Sequence, residues 1–106
     1  MSTTPGPEAR IEQHLRKQVT KNSGVCHKFI STRAGVPDRI VVLAGHTLFV
    51  ELKAPKGRLR PLQRYQIGKL RQAGADVRVI NSIAGVDDLI AELLAAASAS
   101  WAEVPA

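Results

Sequence analysis

From Glu8 to Asn22 the large apolar side chains are Ile11, Leu15 and Val19, one every four residues. That spacing predicts a helix with a single apolar stripe on a polar surface. Asn22-Ser23-Gly24 ends it, with Gly24 suited to the position just past a helix terminus. The period then changes. "VCHKFI" (25–30) reads as a strand and "STRAGVP" as a loop. "RIVVLA" (39–44) is β-branched and almost wholly apolar, as expected of a strand covered on both faces. Gly45-His46 is expected to supply a two-residue hairpin turn, from which "TLFVELK" (47–53) returns antiparallel. "APKGRLRP" is a basic loop, and Pro61 suits the first turn of a helix running through "LQRYQIGKLRQAG" to Gly74. "DVRVI" (76–80) is a further strand. "SIAGVDDLIAELLAAA" (82–97) is a last helix with Leu89, Ile90, Leu93 and Leu94 on one side.

The predicted order is therefore α-β-β-β-α-β-α, an α/β fold with a mixed sheet flanked by helices. The crossover from "TLFVELK" through a helix to "DVRVI" should be right-handed, making those strands parallel. Residues 8–97 are expected to form one domain. It lies between a Pro/Gly-broken, disordered N-terminal tail (1–7) and a C-terminal tail (98–106). The apolar runs are too short to cross a bilayer, and the N-terminus lacks a basic region followed by an apolar run, so neither membrane insertion nor secretion is expected. The single cysteine, Cys26, excludes an internal disulfide and a Cys-based zinc site and fits a reducing cytoplasm.

Charge changes the picture more by position than by amount. The formal net charge of the 106 residues is +6. Residues 13–75 hold thirteen Lys and Arg against two carboxylates, Asp38 and Glu51, a local net of +11. A polyanion, most simply nucleic acid, is the natural partner of such a field. Lys28, Arg33, Arg39, Lys56, Arg58, Arg60 and Arg64 lie in or near loops around the two carboxylates, where a phosphate backbone would pass.

Strand periodicity brings those carboxylates together. Phe49, Glu51 and Lys53 share one face of their strand, so Glu51 and Lys53 emerge side by side at its end. Asp38 begins the preceding strand, and a hairpin of this length returns Glu51 and Lys53 beside it. Two neighbouring carboxylates repel unless a cation or proton lies between them. A divalent metal with oxygen ligands suits the pair, and Mg²⁺ commonly takes only one or two carboxylates. A lysine beside such a site can orient water or stabilise charge on a phosphate.

The run "GVPDR…FVELKAPKGRLRPLQ" resembles the VRR-NUC nucleases, a branch of the PD-(D/E)XK phosphodiesterase superfamily, and is most similar to small stand-alone phage-type members. The resemblance covers about residues 8–82. It implies a restriction-endonuclease-like αβββαβ core, here with an added C-terminal helix, and a Mg²⁺- or Mn²⁺-dependent DNA endonuclease. It further implies Asp38 and Glu51 as metal ligands with the Leu52 carbonyl as a third, Lys53 as the catalytic lysine, and Gln63 near the scissile phosphate. The family also places a glutamate on its first helix, for which both Glu8 and Glu12 are candidates. Similar stand-alone proteins resolve Holliday junctions as homodimers, which makes branched DNA the expected substrate and the cytoplasm, of a bacterial host if the chain is phage-encoded, the expected location. A flap or restriction-like nuclease, or a non-catalytic nucleic-acid-binding module on the same fold, are the alternatives. Retention of Asp38, Glu51 and Lys53 speaks against the last.

Overall fold

Helix α1 spans Pro7–Lys21 and buries the expected stripe, Ile11, Leu15 and Val19. Three antiparallel strands follow, β1 (Val25–Lys28), β2 (Arg39–Leu43) and β3 (His46–Leu52), then α2 (Pro61–Gln72), β4 (Val77–Ile80) and α3 (Ile83–Glu103). The computed structural model describes residues 6–103, with side chains described for 6–97. The expected tail at 1–7 falls mostly outside that range; of it, Gly6 and Pro7 are described, and Pro7 opens α1.

The sheet order is β1-β2-β3-β4, with β3 and β4 parallel and the other pairs antiparallel. The mixed sheet and its parallel crossover thus agree with the sequence reading. Two details differ. The hairpin turn is Ala44-Gly45 rather than Gly45-His46, since Leu43 pairs with His46 and the two turn residues have φ of 52° and 84°. Two successive positive φ angles match the twist of the flanking strands, and Gly takes such a conformation at little cost. The last helix also runs beyond residue 97, because "SASWAE" contains no Gly or Pro to stop it.

The two sheet faces are unlike. Val41, Leu43, Leu48, Val50, Leu52 and Ile80 point to one side and form the main core with α1 and with Val86, Leu89, Ile90 and Leu93 of α3. Alternation along the strands sends Ile40, Phe49, Glu51 and Val77 to the other. There α2 lies along β4, with Ile67 and Val77 buried outside the main cluster. Helix α3 is capped by Ser82, whose Oγ accepts from the Gly85 N–H at 2.9 Å, and joined to α1 by His14 Nε2–Asp87 Oδ1 at 2.7 Å. No described helix is long and apolar enough to cross a membrane.

Candidate active site

The β1–β2 loop and the ends of β2 and β3 define one row of residues. The Phe29 N–H donates to the Asp38 carbonyl at 2.9 Å, continuing the β1–β2 pairing past Lys28↔Arg39. On its other side β2 pairs with β3 at Arg39↔Val50, so one step further Asp38 stands opposite Glu51. Residues opposed in this way have Cα atoms about 4.5–5.5 Å apart and side chains on one face. Proximity of the two carboxylates, inferred above from hairpin length, is therefore a consequence of register.

The same register singles out a backbone oxygen. Backbone polar groups alternate along a strand between its two neighbours. Because Asp38 bonds to β1, residues 39, 41 and 43 face β3, and continuing the register past Arg39↔Val50 sets Pro37 opposite Leu52. Proline has no N–H to give. The Leu52 carbonyl thus reaches the end of the ladder facing a residue that cannot satisfy it.

Electrostatics marks Glu51 as the strained member. It is 8% exposed, and burial pushes its carboxyl above the ordinary value of 4.5. Asp38 and Glu8 raise it further, while Lys53 and Arg60 pull it down. Lys53 Nζ lies 3.9 Å from Glu51 Oε2, with both side chains nearly covered. Two facing carboxylates, one of them costly to ionise, and an unpaired carbonyl make an all-oxygen donor set of the kind hard divalent cations prefer. Among the described residues, no three His, Cys, Asp or Glu side chains come close enough together to hold a metal ion. The acidic pair and the carbonyl are therefore the donors that fit, with Glu8 acting on Glu51 through its charge.

The VRR-NUC domain model matches residues 6–84 of this sequence. The chain belongs to the VRR-NUC family of nuclease domains. A protein of Acyrthosiphon pisum secondary endosymbiont phage 1, named "Putative nuclease p44", is 43% identical over 77 residues, covering 71% of this chain and 83% of the phage protein. A solved structure of a VRR_NUC domain superposes with a TM-score of 0.73 at 29% identity, covering 81% of this chain and 96% of that one. The mixed sheet with flanking helices is the fold of that domain.

The two glutamates of α1 in this VRR-NUC domain have different surroundings. Glu12 Oε1 forms an ion pair with Arg39 Nη2 at 2.5 Å and lies 3.7 Å from Arg16 Nη1. Glu8, exposed and one turn nearer the N-terminus, is the one whose charge reaches Glu51. Arg39 itself must be corrected as a DNA-facing residue. It is 6% exposed on the α1 side of the sheet, in line with Val41 and Leu43, and its guanidinium is held by Glu12. The alternation in "RIVVL" carried that signal. Lys28 shares Arg39's face, at the exposed edge strand, while Arg33, Lys56, Arg58, Arg60 and Arg64 are exposed on loops and on α2.

Gln63 stands at the third position of α2, where its Oε1 accepts the Arg60 N–H at 2.9 Å and fixes the start of the helix. Arginine has no acceptor, so the reciprocal half of a capping box is missing. The sequence reading overlooked Gly35. Its φ is +86°, and a Cβ there would lie 2.9 Å from the Leu62 backbone. This close approach packs the loop carrying Pro37 and Asp38 against the start of α2, bringing the Gln63 end of that helix to the carboxylate row.

Proposed function

We propose that this VRR-NUC domain is a divalent-metal-dependent DNA endonuclease that selects branched DNA, four-way junctions above all, and works as a homodimer in the cytoplasm of a bacterial host. The observation that carries the reading is the β2–β3 register, whose continuation past Arg39↔Val50 sets Asp38 opposite Glu51 and Pro37, which has no N–H, opposite the Leu52 carbonyl. Asp38, Glu51 and that carbonyl would hold Mg²⁺ or Mn²⁺. When bound, the ion supplies positive charge to the scissile phosphate and makes water a better nucleophile at neutral pH.

The chain's own residues do the rest. Lys53, held near Glu51, places an ammonium where negative charge builds on the phosphoryl oxygens during attack. Gln63, anchored through its oxygen, keeps its amide N–H₂ group free to donate to the scissile phosphate or to a water beside it. Arg58, Arg60 and Lys56, exposed on the loop between Lys53 and α2, hold the flanking backbone. Each contact of that kind steepens the salt dependence of duplex binding by about 0.9 in log–log slope. Two symmetric cuts in a junction need two sites, which a two-fold dimer provides.

The test is cleavage of labelled four-way junction, flap, single-stranded and linear duplex DNA in Mg²⁺ or Mn²⁺. Glu51→Gln and Lys53→Ala run beside the wild type, with DNA binding followed in Ca²⁺ and metal binding followed by calorimetry. Paired cuts in the junction are expected, lost in both variants while DNA binding persists, and only Glu51→Gln should lose metal affinity. DNA binding without cleavage in either metal would sink the enzyme reading and leave a binding module.

A further inference from the structure

Ile30 is 92% exposed, whereas the other exposed large apolar residues lie between 37% and 58%. A β-branched side chain left almost wholly in water, with a charged residue two positions before it and another three after, has no role in the core. Its place in the fold is specific. Phe29 is held to Asp38 by the last hydrogen bond of the β1–β2 ladder, so Ile30 stands one residue beyond the carboxylate row, past the end of the ladder, and alternation turns its side chain to the face of Lys28. Strand spacing and rise put its Cα about 6 Å from that of Asp38. One nucleotide advances about 3.4 Å along a duplex strand, so this offset is comparable with one or two nucleotide steps.

The loop is built to present this side chain. Before it, Phe29 packs on Phe49 with ring centroids 5.9 Å apart. After it, the Ser31 Oγ accepts the Arg33 N–H at 3.1 Å, and Gly35 lies against Leu62. Lys28 and Arg33, both exposed, flank it with positive charge. Proteins that bind and bend DNA frequently insert apolar side chains between base steps and partly unstack them.

We propose that Ile30 is a wedge that enters the base step beside the scissile phosphate and is a determinant of selectivity for branched over intact DNA. This rests on the endonuclease reading above. The energetic logic is differential. In an intact duplex the wedge must break stacking to enter, which cancels what its burial contributes. At a branch point the step is already open, so burial of the side chain against base faces counts in full. Partial burial of an isoleucine corresponds to about tenfold in affinity, and that factor belongs to the branched substrate alone.

The experiment uses a four-way junction and a linear duplex of the same sequence, each with 2-aminopurine at the step next to the cut, titrated with wild type, Ile30→Ser and Ile30→Leu in Ca²⁺. Cleavage in Mg²⁺ is measured on the same DNAs. Wild type should brighten the probe in the junction. Ile30→Ser should lose the brightening and bind the junction about tenfold more weakly, with duplex binding unchanged, and Ile30→Leu should restore both. A side chain this exposed leaves folding intact, which circular dichroism checks. Wild-type cleavage with Ile30→Ser indistinguishable in brightening and in junction-to-duplex ratio overturns the wedge and spares the nuclease. An Ile30→Ser variant that changes only self-association in the ultracentrifuge assigns Ile30 to contact with a second copy and also overturns it. A wild type that binds and cuts no DNA overturns both.

Discussion

Glu8 and Glu12 sit one helical turn apart, and the structure separates what each does sharply enough to predict opposite consequences for the same chemical change. Glu12→Gln keeps the size and helix propensity of the side chain but removes the charge facing Arg39, which is 6% exposed. Removing one partner of a fully buried ion pair costs about 3–5 kcal/mol, because the other charge is left uncompensated. Here the Glu12 side chain is 30% exposed and glutamine can still accept one hydrogen bond, so about 2 kcal/mol is the expected loss. For a domain of this size that is a fall in Tm of about 10 °C. In urea it appears as a midpoint about 1 M lower with an unchanged slope. Adding Arg39→Met to Glu12→Gln should recover most of the loss, since an apolar side chain does not need the partner. Glu8→Gln, by contrast, removes an exposed charge from the first turn of α1, worth about 0.5 kcal/mol, yet should depress cleavage because it withdraws negative charge from the field that would draw a divalent cation to Asp38 and Glu51. If Glu12→Gln were to leave stability within about 0.5 kcal/mol of wild type and abolish cleavage, while Glu8→Gln kept it, the assignment of roles would be reversed.

Two further outcomes follow from the site. Glu51 holds its proton more tightly when folded than when unfolded. Its contribution to stability is therefore complete below its unfolded value of 4.5 and is lost as pH rises through the higher folded value. Glu51→Gln should thus raise Tm at pH 7 in metal-free buffer, with the advantage fading toward pH 4; a variant less stable than wild type at pH 7 would show that ionised Glu51 is net stabilising. Gly35→Ala should destabilise the domain by about 2 kcal/mol, from a left-handed backbone that penalises Cβ and from overlap with the Leu62 backbone. Its cleavage should fall at temperatures where it remains folded, and full activity there would mean that the Asp38 loop does not depend on this contact.

The elements themselves were legible in the chain because each has a local cause. The four-residue spacing of Ile11, Leu15 and Val19, the β-branched run after Arg39, Pro61 at a helix start and Gly74 at its end all act within a few residues. So did the grouping of Asp38, Glu51 and Lys53, which needs only strand alternation and one hairpin. Placing the turn one residue too late left the strands correctly paired in outline but hid the register. Register decides that Asp38 faces Glu51 and that Pro37 faces Leu52, and it is set by the φ angles of Ala44 and Gly45, which composition alone did not choose.

Other features belong to packing between distant parts of the chain. How Glu8 and Glu12 are placed depends on how α1 is rotated against the sheet, and its stripe of Ile11, Leu15 and Val19 turns Glu12 onto Arg39. Arg39 looked like one more basic residue near a loop until burial of Val41 and Leu43 drew it to the same face. The close approach of Gly35 to Leu62 joins residues 27 positions apart, and no local pattern announces it. By itself the sequence determined which residues could make a phosphodiesterase site, because residue type and strand period are local properties. Only the tertiary structure decided which of them are brought together and which are buried elsewhere, because burial and register are properties of surfaces brought together by the fold.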